Sequence, residues 1–103
     1  MKLLAVHTTV GARADADRIA DAAVERRLAA CVHVDDIASV YRWKGAVQHD
    51  AEVRLTFKTT DEQFEALREL VLDLHPYELP ALWAVELAHV HPPYAEWVRE
   101  STG

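Results

Sequence analysis

Two histidines stand where the chain can make metal donors of them. His7 closes the short apolar run Leu3-Leu4-Ala5-Val6, and His75 heads the segment His75-Pro76-Tyr77-Glu78-Leu79-Pro80, where a proline and a helix end fix its place. Imidazole suits copper(II) and zinc, so the two rings can share an ion if that loop folds against the end of the first strand. The competing reading has His75 bonding the last carbonyls of its own helix. A second set is Lys58, Glu52 and Glu78 with Tyr77 and Tyr41. An acid beside a lysine and phenol hydroxyls suits a small anionic ligand or a proton transfer; its plain counterpart is an interface ion-pair network. His89-Val90-His91 offers two imidazoles without a third donor and reads as surface. His33 and His49 are placed to meet across a hairpin or between subunits, with His49 on an apolar face as a core or interface residue. Cys31, the single cysteine, reads as a small buried residue rather than a soft ligand, since no CxxC or Cys/His cluster accompanies it. No Ser-His-Asp order, nucleophile elbow, P-loop or GxGxxG occurs. No enzyme is expected, and no obligatory cofactor. A divalent metal ion, copper or zinc, is the one candidate.

The elements that must position these residues centre on the stretch Ala30 to Thr60. Val47, His49, Ala51, Val53, Leu55 and Phe57 alternate with Gln48, Asp50, Glu52, Arg54, Thr56 and Lys58. A period of two marks a strand with one dry and one wet face. A second β-rich run ends in Val40-Tyr41-Arg42-Trp43, and Gly45 supplies the positive φ of a tight turn. Together they predict one long hairpin. Arms of about 13 residues run about 40 Å, whereas a domain of this size is roughly 33 Å across. The tip should project with apolar residues exposed, which invites a partner. Tyr41, Trp43, Val47 and His49 are the expected contacts of an oligomerisation arm; otherwise the strand bends back over its own sheet. Asp35-Asp36 predicts a bulge in the first arm.

Around the hairpin, Lys2 to Thr9 reads as a central strand and Asp15 to Ala29 as a helix with Ile19, Ala20, Ala23, Val24 and Leu28 on its apolar stripe. Thr60 and Gln63 form a capping-box pattern for the next helix, which Pro76 ends. Leu82 to Ala88 is the last strand, followed by a short helix from about Pro93. Strand, helix, strand, strand, helix, strand is the βαββαβ order of a ferredoxin-like α+β sandwich, with a short C-terminal helix. Its sheet carries apolar residues on both faces, so the face away from the helices is expected to be covered by neighbouring subunits. The 103 residues make one domain, 1–103. A net charge of −6 argues against a nucleic-acid partner. No apolar run reaches the length of a membrane span or a signal core, and a cytoplasmic location is expected.

Several motifs, in order, resemble one family. They are Leu28-Ala29-Ala30-Cys31-Val32, Ser39-Val40-Tyr41-Arg42-Trp43-Lys44-Gly45, Glu52 ahead of Leu55 and Lys58-Thr59-Thr60, His75-Pro76-Tyr77-Glu78-Leu79-Pro80, and Tyr94-Ala95-Glu96-Trp97. This is similar to the CutA family of divalent-cation tolerance proteins across nearly the whole chain. The resemblance implies a ferredoxin-like subunit in a tight homotrimer whose hairpins extend the sheet between subunits, and a role in tolerance of divalent metals, copper above all, with weak metal binding. Members described as metal-binding can carry Cys where this chain has His7, a donor where it has Leu74 and an acid where it has Ala81. A second expectation, by analogy of fold with the PII signalling trimers, is a small-ligand sensor with its pocket between subunits.

Overall fold

In the computed structural model, which describes residues 1–103, β1 (Leu3–Val10) lies between β3 (Ala46–Thr60) and β4 (Leu82–Glu86), and β2 (Cys31–Trp43) lies outside β3. All neighbours are antiparallel. The helices are α1 (Arg13–Glu25), α2 (Phe64–Leu74) and α3 (Pro92–Glu100). This is the expected ferredoxin-like α+β order, with the long hairpin and the short last helix in place. No helix is long and apolar enough to cross a membrane.

Alternation assigns each strand residue to a side. Val6 and Val10 of β1 and Val53, Leu55 and Phe57 of β3 point at the layer made by Ala16, Ile19 and Ala23 of α1 and Leu67, Leu70 and Val71 of α2. Leu3 faces the other way and packs with Ala95 and Val98 of α3. The third helix therefore covers one end of the opposite face and leaves the rest bare. Trp83 and Val85 of β4 stay 46% and 48% exposed there.

α1 starts at Arg13, two residues before the expected Asp15, with no side-chain cap, and ends at Glu25, four residues before the expected Ala29, where the backbone turns. Arg27 takes a left-handed φ of 60°. Its N–H bonds the Val24 carbonyl, and Leu28 N–H bonds that of Ala23 at 2.9 Å. That is a Schellman close with arginine in the place glycine usually holds. The strained position is tied down: the Arg27 carbonyl accepts from Gly103 N–H at 2.9 Å and its Nε donates to the Gly103 carbonyl at 2.8 Å.

Three expectations change. The bulge at Asp35-Asp36 is absent, because β2 and β3 pair one to one from Cys31↔Lys58 to Trp43↔Ala46. The acids are satisfied sideways instead: Arg54 bonds Asp35 at 2.8 Å and Arg13 bonds Asp36 at 3.2 Å. The capping box does not form. Thr60 is the last residue of β3, paired with Leu3, and α2 is entered through Gln63 with no side-chain cap. Burial on the alternating face stops at Val53; Ala51, His49 and Val47 are exposed because neither α1 nor α2 reaches them.

The hairpin turn is a two-residue loop with φ of 49° at Lys44 and 82° at Gly45, the type I′ geometry that matches strand twist. The subunit measures 44 × 25 × 21 Å, so the arm runs well past the body. Phe57 is the largest fully buried side chain. Phe57→Ala should lower the unfolding free energy by about 3–5 kcal/mol, read as a lower urea midpoint at unchanged slope.

Candidate functional site

β1 delivers His7 to the bare face of the sheet. Its cross-strand partners are Thr56 on β3 and Trp83 on β4. Nδ1 meets Thr56 Oγ1 at 3.1 Å, and the ring stacks on Trp83 with centroids 5.2 Å apart and planes at 20°. Burial, with Arg54 and Lys58 nearby, pushes its pKa below the ordinary imidazole value. His75, the first residue after α2, packs its loop against the end of β1. Its Nε2 bonds the Thr9 carbonyl at 2.9 Å, and its Nδ1 accepts from Tyr77 N–H at 3.1 Å. The carbonyl can only accept and the amide can only donate, so the ring is neutral with its proton on Nε2. Burial again lowers its pKa. His75 is thus satisfied by β1 and by its own loop rather than by the helix end. Both of its nitrogens are engaged, and nowhere do three His, Cys, Asp or Glu side chains converge as a metal site would need.

The tyrosine and carboxylate residues do converge. Glu52 leaves β3 on the bare face, and the Tyr77 hydroxyl donates to it at 2.8 Å. Gly11 makes room for that ring: a Cβ there would stand 3.2 Å from the Tyr77 hydroxyl. Tyr41 donates to Asp50, its diagonal neighbour across the hairpin. Glu78 reaches Lys44 at 3.8 Å, so the loop also touches the hairpin turn. The Tyr77 pKa is raised, by burial first and then by the bond to Glu52; the Tyr41 pKa is raised mainly by its bond to Asp50. Between the hairpin and the loop lies a cleft of about 770 Å3 lined by Tyr41, Glu52, Tyr77 and Glu78 together with Trp43 and Trp83. Lys58 is not part of it. It stands six residues along β3 from Glu52, roughly 20 Å at strand spacing, with its Nζ 3.5 Å from His33 Nδ1.

The expected contact residues fall on two sides of one arm. Tyr41 and Trp43 share the bare face with Glu52, whereas Val47 and His49 pair with Arg42 and Val40 and point the other way. Val40 and Val47 are 66% and 53% exposed. His33 pairs with Thr56 and His49 with Val40, so these two histidines lie on opposite faces and do not meet. His89 and His91 are exposed. Cys31 is a free, half-buried thiol. Sequence reasoning did not find Trp83 and Thr56 as partners of His7, or Thr9 as the anchor of His75. The first pair follows only from register, and the second bond goes to a backbone oxygen, which no residue type announces. Gly11 carried a signal, as a glycine in a short loop facing the His75 segment.

Comparison with known proteins agrees over the full length. A family model described as CutA1 divalent ion tolerance protein matches residues 4–101. The divalent-cation tolerance protein CutA of Thermus thermophilus is 46% identical over 96 residues, which is 92% of this chain and 93% of that one. Protein CutA of Mus musculus is 43% identical over 88 residues, 84% of this chain; the chain spans about half of that longer relative, 50%. The crystal structure of CutA1 from Oryza sativa superposes with a TM-score of 0.95 at 36% identity, covering 100% of this chain and 95% of the other.

The neutral His75 makes the loop sensitive to acid. Because burial lowers its folded pKa, the unfolded chain takes up protons first, and stability present above the ordinary value of about 6.5 is lost as pH falls through the folded value. Urea titrations at pH 8 and pH 5 should show the wild type losing stability on acidification. His75→Gln should be about 1–3 kcal/mol less stable at pH 8 and lose less between the two pH values.

Proposed function

The chain belongs to the CutA1 divalent ion tolerance family, and from that premise we propose that it serves divalent-metal tolerance, with copper as the chief ion, as a cytoplasmic homotrimer that binds ions weakly and catalyses no reaction. The observation that carries the proposal is the match itself, which runs from residue 4 to residue 101 and takes in every element of the fold.

The donors favour weak binding over a closed site. His7 keeps Nε2 free of any partner within the subunit, while Nδ1 is held by Thr56. His75 would coordinate only by giving up the Thr9 carbonyl or the Tyr77 amide. Tight structural sites use about four converging donors, and one subunit assembles fewer than three. An exchangeable ion at His7, completed from a neighbouring chain or by water, fits these residues.

The trimer is supported by unfinished edges and faces. β1 pairs with β3 only from Val53 to Thr60, so Ala46 to Glu52 present one open edge. The outer edge of β4 is open too. Open edges and a bare face that exposes Tyr41, Trp83 and Val85 call for strands from other copies. A second reading, a small-ligand sensor with its pocket between subunits, is favoured by one observation, the 770 Å3 cleft on that same face.

Calorimetric titration of the tag-free protein with copper(II) and with zinc should give weak, saturable uptake that His7→Ala and His75→Ala together abolish. Uptake no greater than buffer chelation would sink the metal proposal. Sedimentation at micromolar concentration should give a species of three 11.6 kDa chains, and a predominantly monomeric protein would refute the assembly. Trp43→Asp places a charge in a dry contact and should weaken association by about tenfold or more.

A further inference from the structure

α1 closes on an arginine where a chain ordinarily places glycine. Arg27 holds a φ of 60°, a left-handed conformation that is unfavourable for a residue with a Cβ. Such a position persists where its surroundings over-determine it, and it recurs at clamps and switches. Around Arg27 those surroundings are the segment from Glu100 to Gly103.

The two parts hold each other. The Arg27 Nε donates to the Gly103 carbonyl at 2.8 Å, and its Nη2 donates to the Glu100 carbonyl. The Arg27 carbonyl in turn accepts from Gly103 N–H at 2.9 Å. Glu100 is the last residue of α3. The guanidinium therefore meets the negative end of that helix, where the last carbonyls lack partners and a cation is favoured. The backbone of Arg27 ends α1, and its side chain ends α3. Within the segment, Ser101 N–H bonds the Trp97 carbonyl at 3.0 Å and the Thr102 hydroxyl bonds the Val98 carbonyl at 3.0 Å. The segment is thus fastened to α3.

Little else holds α3. Its buried residues are Ala95 and Val98, packed with Leu3, whereas α1 and α2 share a core of 12 buried residues. Arg99 reaches the Met1 carbonyl at 3.4 Å, a long and exposed bond. At nine residues the helix is shorter than the roughly 12–15 that a helix needs by itself in water. Its order comes from where it is docked.

We propose that Arg27 is a catch that locks α3 and the Glu100 to Gly103 segment onto the end of α1, and that α3 opens as a unit when the catch is broken. The coupling runs both ways, because the docked segment also holds Arg27 in its left-handed conformation. α3 covers the Leu3 end of the sheet face that the other helices leave bare, so the catch fixes where the open part of that face begins. It uses no residue of the hairpin, of the cleft or of the metal donors.

The test is amide hydrogen exchange of the full-length protein, followed residue by residue by NMR. Arg27→Gly is the decisive variant, since glycine takes a φ of 60° freely but carries no guanidinium. The amides from Ala95 to Ser101 should exchange about tenfold faster. Those of Leu28 and Ala29, which bond the Ala23 carbonyl, should stay as slow as in the wild type, and so should those of β3. Arg27→Lys keeps the charge but loses the fork, and should speed α3 by about threefold. Deletion of Ser101 to Gly103 should speed Leu28 and Ala29 about tenfold, and adding Arg27→Gly to that deletion should slow them again. Unchanged α3 exchange in Arg27→Gly overturns the catch, as does a rise shared equally by α3, α1 and β3. Unchanged Leu28 and Ala29 in the deletion overturns the two-way coupling.

Discussion

Everything in this subunit depends on the register of β3. The strand is held on both sides by one-to-one pairing, with β2 from Ala46 to Lys58 and with β1 from Val53 to Thr60. Because side chains alternate, a shift of one residue would send Val53, Leu55 and Phe57 to the wrong face and Glu52 and Arg54 into the core. The correct register places the three apolar residues under α1 and α2, where they are buried. It also places Glu52, Arg54, Thr56 and Lys58 in a polar row on the opposite side. That row decides the chemistry of the free face: register brings Arg54 to Asp35, Thr56 to His7 and Lys58 to His33, and it turns Glu52 toward Tyr77 of the loop after α2.

The same strand explains why the subunit is unfinished. β3 is one continuous strand, but the helices cover only part of it. Its distal half keeps the alternating pattern of a buried strand while lying outside any layer, and it keeps an open edge where β1 has ended. β4 ends the sheet on the other side with Trp83 and Val85 exposed. Apolar area left in water costs roughly 25 cal/mol per Å2, and the proposed association of copies would remove it. The loop from His75 to Pro80 is built to a different standard. His75 is satisfied at both nitrogens, Tyr77 is bonded to Glu52 and fitted over Gly11, and Glu78 reaches the turn. It forms one wall of the cleft and fixes Tyr77 there.

Much of this was legible in residue types. The alternation in the hairpin, the Lys44-Gly45 turn, the apolar stripes of α1 and α2 and the order of elements all have local causes. Errors came where two local signals competed. Adjacent acids suggested a bulge, but facing arginines neutralise them and the strand runs straight. Thr60 and Gln63 suggested a cap, but the pairing of Thr60 with Leu3 keeps it in the sheet. The site was legible as a set of residues and not as a geometry: within one chain Tyr41, Glu52, Tyr77 and Glu78 line one cleft, and Lys58 of the same chain lies outside it.

The amino-acid sequence by itself determined the secondary elements, their βαββαβ order, the length of the arm and the family, because these rest on periodicity, turn chemistry and motifs read within a few residues of one another. Tertiary structure alone decided which side chains share a space. Six residues of strand carry Lys58 out of the cleft, cross-strand register brings Trp83 to His7, and a backbone carbonyl on β1 fixes the proton of His75. Each of these depends on contacts between residues far apart in the chain, which residue types do not announce.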